Sequence, residues 1–381
     1  MHPVAPPTRR WTAARRIRGE RSGALLLSPA RERGRGAGPP FHEPRPLVLA
    51  LVSALVFLTL VGQPAYGHSG GGPSAAAADA LRETFGPLGT IVAPHGAGVL
   101  TTDASTGTEQ ALPIMPAVGV AGHAAWSPDR TRLAVSRFGR RPAERVGGSD
   151  ILVAPAWGGE ALPVAEHEAD GALLGAPAWL PDSSGIFYDQ LPPSGGPTSA
   201  QVMFAEIGTG ATPRLIAQGG WPAVSPDGQL LAYVRPSQTT GFLSELVLTD
   251  MHGVWDRVLV RGDELVQITS PRFSPDGAEI AFIGSVSVGE AMRAPSLSLG
   301  DLFAKGVMRH GPPGDIWVMS VGGGAAYQLT SFEEDEPTLA WSPDGYWLAM
   351  MGGGGLYLLP RDLSEGPRLL ARGGFGGIDW R

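Results

Sequence analysis

One short phrase is written five times along this chain, and it limits the fold more than any other feature. Trp126-Ser-Pro-Asp129 recurs as Trp179-Leu-Pro-Asp182, Val224-Ser-Pro-Asp227, Phe273-Ser-Pro-Asp276 and Trp341-Ser-Pro-Asp344. The prolines stand at 128, 181, 226, 275 and 343, giving spacings of 53, 45, 49 and 68. Four residues after each Asp an apolar triplet begins: Leu133-Ala-Val, Ile186-Phe-Tyr, Leu231-Ala-Tyr, Ile280-Ala-Phe and Leu348-Ala-Met. A fixed offset in five copies marks a repeat of supersecondary units that stack on one another.

The phrase has the chemistry of a tight turn between two strands. Pro pre-sets φ, Asp bonds its own backbone, and Gly228, Gly277 and Gly345 take a positive φ without a Cβ clash. Arg130 and Ser183 stand where the other copies have Gly. A positive φ there costs roughly 1–2 kcal/mol, so those two turns are expected to take another geometry. The aromatic before the turn is expected to fill the wedge between neighbouring sheets.

Each copy goes on to a third strand (Asp150-Ile-Leu-Val, Val202-Met-Phe-Ala, Glu245-Leu-Val-Leu, Asp315-Ile-Trp-Val-Met, Leu356-Tyr-Leu-Leu). Glycine turns and a fourth strand such as Tyr327-Gln-Leu-Thr330 follow. Four short strands in 45–50 residues predict a β-propeller blade. Ile378-Asp-Trp380 matches the first strand of a sixth blade, and Thr90-Ile-Val-Ala, Val99-Leu-Thr-Thr-Asp103 and Gln110-Ala-Leu-Pro113 supply its other three. The expectation is an all-β, six-bladed propeller over residues 86–381. Strands from both ends would close the ring in one blade, the C-terminal strand innermost, leaving no open edge. Composition agrees: Gly 55 and Pro 36 argue against a helical bundle, and 43% hydrophobic with 17% charged residues is enough to bury a large core.

The (Trp/Phe)-Ser-Pro-Asp-Gly turn, the Ile/Leu-Ala-Phe/Tyr strand and Asp315-Ile-Trp-Val-Met resemble the WD-repeat-like motif of TolB-type propellers. The same motif occurs in the propeller halves of prolyl-oligopeptidase and dipeptidyl-peptidase enzymes. The resemblance covers about residues 90–381. Through TolB it implies a periplasmic protein that binds a lipoprotein partner of the outer-membrane integrity system. A departure is that only a short spacer stands where TolB carries an α/β domain before its propeller. The peptidases keep Ser, Asp and His on a hydrolase domain after the propeller, for which the residues up to Arg381 leave no room.

Ahead of the repeats the charge is divided. The net charge is −7, yet residues 1–46 hold 10 Arg against Glu20, Glu32 and Glu43, a local +7. Residues 47–62, LVLALVSALVFLTLVG, carry no charge. Such a run reads as a signal-peptide core or an uncleaved signal anchor, with the arginines on the cytoplasmic side. Ala65 and Gly67 are small residues placed for a cut before His68. The division expected is a basic segment at 1–46, a signal or anchor at 47–67, a flexible spacer at 68–85 and the propeller at 86–381. The working part would be exported, with membrane contact only through 47–62. The basic arm is better explained by this signal than by nucleic acid.

Chemistry is sparse. There is no cysteine, hence no thiol nucleophile or Cys-based metal site, and Lys305 is the one lysine. Gly67-His-Ser69-Gly-Gly71 fits Gly-x-Ser-x-Gly, but a nucleophile elbow needs a strand before and a helix after, and here a Gly/Ala spacer surrounds it. Candidate partner- or cation-binding residues are Glu333, Glu334, Asp335, Glu336, His167, Asp170 and His123, with Asp263 as a further ligand. Four adjacent carboxylates repel one another and favour a cation or a basic partner, although a solvated acidic loop explains them as well. Arg137, Arg140, Arg141 and Arg145 read as a solvated turn. An insertion at about 284–314 is either a functional loop or a flap over a blade edge. The function expected is a non-enzymatic, monomeric, exported propeller binding a protein or peptide of the cell envelope, without a cofactor. The alternatives are a calcium-dependent tunnel hydrolase or lactonase, by analogy of fold alone, and a membrane-anchored sugar or cell-wall sensor.

Overall fold

The computed structural model describes residues 87–193, 197–238, 244–262, 265, 267–285, 314–331 and 337–381. The basic arm, the apolar run at 47–62, Asp263, the carboxylates 333–336 and residues 286–313 of the insertion lie outside the described residues. Among those described, no helix is long and apolar enough to cross a membrane.

Six four-stranded antiparallel sheets form the blades. Blade 1 holds Thr90–His95, Gly98–Asp103 and Glu109–Leu112. Asp379–Trp380 pairs beside Thr90–His95, with Ile91 opposite Trp380 and Val92 opposite Asp379. Blade 2 runs Val120–Trp126, Arg132–Gly139, Gly148–Pro155, Leu162–Ala165. Blade 3 runs Leu173–Trp179, Gly185–Leu191, Gln201–Glu206, Arg214–Gln218. Blade 4 is Gly220–Val224, Leu230–Pro236, Ser244–Asp250, Asp256–Val260. Blade 5 is Gln267–Phe273, Glu279–Ser285, Asp315–Ser320, Tyr327–Gln328. Blade 6 is Thr338–Trp341, Trp347–Gly352, Gly355–Pro360, Arg368–Arg372.

The Ser-Pro-Asp phrase joins the first and second strands of blades 2 to 6, and its side chains fix the turn. Ser127 Oγ donates to Asp129 Oδ1 at 2.5 Å and accepts the Arg132 N–H at 2.9 Å. Ser225 does the same with Asp227 and Leu230, at 2.5 and 2.9 Å, and Ser274 with Asp276 and Glu279, at 2.6 and 3.0 Å. Each Asp also accepts the N–H two residues on, at 3.0 Å in every copy. Where Leu180 replaces the serine, Asp182 takes the Ser184 hydroxyl instead, at 2.6 Å.

The expected change of geometry at Arg130 and Ser183 does not occur. Their φ values are 59° and 60°, beside 69°, 72° and 74° at Gly228, Gly277 and Gly345. The shared hydrogen bonds hold all five turns alike, so two non-glycine residues sit in the left-handed region at a cost of about 1–2 kcal/mol each. At Ser183 neighbouring contacts offset that cost. Its buried hydroxyl accepts the Asp129 N–H at 3.2 Å, and its carbonyl accepts Arg132 Nη2 at 2.7 Å.

Six hydrophobic clusters fill the six wedges between blades. Trp126 packs with Val92 and Val99 of blade 1, Trp179 with Ile151 of blade 2, Phe273 with Leu246 of blade 4 and Trp341 with Val318 of blade 5. Trp380 packs with Leu358 of blade 6, and Phe187 of blade 3 meets Leu231 of blade 4. The aromatics before the turns do fill the wedges, each burial stabilising by roughly 2–3 kcal/mol. The indoles also hold on to the blade before: Trp179 Nε1 donates to the Ala125 carbonyl at 3.2 Å and Trp341 Nε1 to Arg272 at 3.1 Å.

Candidate functional site at the start of the inner strands

The first strand of each blade lines the central tunnel, starting at one mouth and finishing at the Ser-Pro-Asp turns. Seven residues of strand span about 20 Å, so the two ends are separate places. At the starting end lies a cavity of about 450 Å³. Its rim is apolar and exposed: Val120 is 48%, Leu173 41% and Phe138 39% accessible. Its polar floor includes His123, Ser136 and Asp189.

Glycines make that floor. A methyl group on Gly175 would stand 2.8 Å from Asp189 Oδ1 and 3.5 Å from His123 Cε1, so the carboxylate and the imidazole border one gap. On Gly220 it would meet Asp189 Oδ2 at 3.1 Å, and on Gly377 it would strike the His123 ring. The inner strands bulge here, with positive φ at Ala176, Trp221 and Ser270. The bulge in blade 4 aims the Trp221 N–H at Asp189 Oδ2, 3.0 Å away, and the Trp221 ring meets His123 edge-on at 5.4 Å.

The electrostatics follow from this enclosure. Loss of solvent pushes the Asp189 carboxyl up, against the opposing pull of the Trp221 and Gly175 N–H groups. Loss of solvent, with the charge of Arg272, holds the His123 imidazole down to about 4, so it is neutral at pH 7. Its Nδ1 is 3.1 Å from the Ser136 hydroxyl. Arg235 also borders the cavity, but its guanidinium bonds Glu245 at 3.2 Å and Asp256 at 2.6 Å. Among the described residues Asp189 has no cationic partner. The set does not form a nucleophilic triad: Ser136 is buried, and His123 makes no hydrogen bond to Asp189.

The other sequence candidates lie apart from this floor. His167 is buried, with Nδ1 2.6 Å from Asp150 and Nε2 2.8 Å from Glu144. Asp170 accepts the N–H groups of Arg145, Val146 and Gly147 at 2.8–3.0 Å, and these bonds hold its carboxyl below the usual range. Both residues fasten the 140–147 loop. Arg137 and Arg141 are likewise not simply solvated. Arg137 donates to the Pro116 carbonyl at 2.6 Å and Arg141 to that of His167 at 2.8 Å, and Arg141 also pairs with Asp150 at 3.3 Å and Glu166 at 3.4 Å. Among the described residues no group of three His, Cys, Asp or Glu is placed to hold a metal.

Asp189 and Trp221 were missed from sequence, although aligning the repeats exposes them. The residue after each apolar triplet is Ser136, Asp189, Val234, Ile283 or Met351, polar only in blades 2 and 3. Three residues before the aromatic, or before Val224 in blade 4, stand His123, Ala176, Trp221, Ser270, Thr338 and Gly377, different in every blade.

TolB from Acinetobacter baumannii is similar to this chain with a TM-score of 0.57 at 16% identity, covering 87% of this chain and 71% of that one. Putative TolB from Agrobacterium tumefaciens gives 0.50 at 15% identity, over 72% of this chain and 91% of its own. The fold is a TolB-like six-bladed β-propeller. No family model matches the chain. An uncharacterized peptidase, YuxL of Bacillus subtilis (strain 168), is 30% identical over 140 residues, 33% of this chain. The match spans only 20% of that peptidase's length, so it reaches part of the propeller chain and a fifth of the relative.

Proposed function

We propose that this TolB-like propeller is an exported, non-enzymatic binding protein of the cell envelope that takes a protein or peptide segment at the starting mouth of its tunnel. The observation that carries the reading is the exposed apolar rim of Val120, Phe138 and Leu173 around a cavity with an acceptor at its floor. Ligand sites combine apolar walls with a few placed polar groups. An apolar side chain of the partner covers the rim, and an amide, amine or guanidinium N–H reaches Asp189. The apolar run at 47–62 supports export, and the TolB-like fold supports an envelope role by analogy.

The test is photo-crosslinking from position 173 of the full chain in cells, followed by fractionation. The expected result is a discrete crosslinked species in the envelope fraction that disappears with Phe138→Asp and weakens with Asp189→Asn. A propeller confined to the cytosol, or a species unaffected by both changes, overturns the reading.

A further inference from the structure

The finishing end of the tunnel carries a second cavity, of about 400 Å³, framed by the Ser-Pro-Asp turns. Arg272 enters it from the inner strand of blade 5. The residue three before the turn proline is Ala125, Ala178, Ala223 and Ala340 in blades 2, 3, 4 and 6, so Arg272 replaces a methyl group with a guanidinium. Among the described residues its guanidinium has one hydrogen bond, from Nη1 to the carbonyl of the adjacent Pro271 at 2.9 Å, and no ion pair. Burial pulls its pKa down, with Asp379 nearby acting the other way.

Two further donors at this cavity lack acceptors. Trp126 Nε1 and Arg381 Nε are both buried without a hydrogen-bond partner, and both residues line the space. Asp379 hydrogen-bonds neither: its Oδ2 accepts the Trp126 backbone N–H at 2.9 Å and makes only a long ion pair, 3.9 Å, with Arg381 Nε. Buried donors are nearly always paired, and each exception calls for an acceptor or an explanation. Arg130 adds an exposed cation at the rim, in a left-handed backbone position that three other turns give to glycine. Strain of this kind marks places where a side chain has a use.

We propose that this cavity binds a carboxylate carried on a short apolar stem. The carboxylate oxygens accept from Arg272, Arg381 Nε and the Trp126 indole, a fork-and-donor set suited to a planar anion. The stem lies against the prolines and the edges of Trp179 and Trp341. Such a group comes either from a small organic acid or from the C-terminal end of a peptide.

Isothermal titration of the full chain tests this with four probes: benzoate, inorganic phosphate, and a tripeptide ending in Phe as free acid and as amide. Saturable binding of benzoate or of the free-acid peptide is expected, with the amide at least tenfold weaker. Benzoate alone assigns the small acid, and the free-acid peptide alone assigns the peptide end. Arg272→Met should weaken binding at least tenfold, and Trp126→Phe severalfold. Should Arg272→Met fail to fold, Trp126→Phe and Arg130→Gly, the latter placing the residue other turns use, decide the matter. No saturable binding of either carboxylate, phosphate binding as tightly as benzoate, or affinities unchanged in the variants that fold overturns the proposal.

Discussion

The two ends of the tunnel differ in how far the repeat dictates them. At the finishing end the same turn is built five times, and successive copies nest: a methyl group on Gly228, Gly277 or Gly345 would touch Pro181, Pro226 or Pro275 of the preceding turn at 3.3–3.6 Å. At the starting end no two blades present the same residue three places before the aromatic, or before Val224 in blade 4. Repetition therefore builds the ring, and chemistry enters where a copy deviates. Arg272 obeys the same rule at the finishing end, as a deviation inside the most regular part.

Predictions that separate the ends begin with the largest effect. Trp179→Ala at the finishing end should cost about 3–5 kcal/mol in denaturant unfolding. Leu173→Asp, six residues away on the same strand but exposed, should stay within about 0.5 kcal/mol. If both cost the same, the division of labour along the strand is wrong. Next, Ser225→Ala removes an acceptor for the Leu230 N–H and a donor to Asp227, and should cost about 1–2 kcal/mol. Arg130→Gly relieves backbone strain and should stabilise by about 1 kcal/mol. Ser183→Gly should gain less, because it gives up the bond from the Asp129 N–H.

Acid separates the ends by pH. His123 falls from an ordinary 6.5 to about 4 on folding, so the unfolded chain takes up its proton first. Its contribution is fully present above pH 6.5 and is lost as pH drops toward 4. At the turns, the Ser127 hydroxyl and the Thr131 N–H hold Asp129 down to about 2, and Asp182, Asp227 and Asp276 are lowered as well. That stability is present above an ordinary 3.8 and is lost as pH falls toward 2. Equilibrium unfolding across pH should show His123→Gln flattening only the upper limb and Asp129→Asn only the lower. The smallest effect expected is that of calcium. On the binding-protein reading, millimolar calcium leaves the melting temperature of the full chain unchanged, whereas a clear rise favours the tunnel hydrolase.

Much of the ring was legible because its cause is local. A Ser-Pro-Asp turn and a triplet such as Leu133-Ala-Val135, all buried, need only neighbouring residues to make sense. The site was less so. His123 is a sequence candidate for cation or partner binding, but its enclosed surroundings come from Gly377, Arg272 and Trp221 of three other blades. His167 and Asp170 were visible as candidate ligands, while the bonds that occupy them, to Glu144, Asp150 and the 145–147 backbone, cross some 17 to 25 residues of sequence. Sequence pattern reports period well and cross-blade proximity poorly.

Blade 1 also has a history in time. Among the described strands, its Thr90–His95, Gly98–Asp103 and Glu109–Leu112 are synthesised before the other blades, and the Asp379–Trp380 strand beside them after those blades. At about 5–20 residues per second, the wait between them lasts on the order of 13–50 seconds. For that interval the edge of Thr90–His95 offers unpaired N–H and C=O groups to any passing strand. A variant whose Asp379–Trp380 strand cannot pair, such as Trp380→Pro, should therefore be prone to aggregate even though the other five blades are intact.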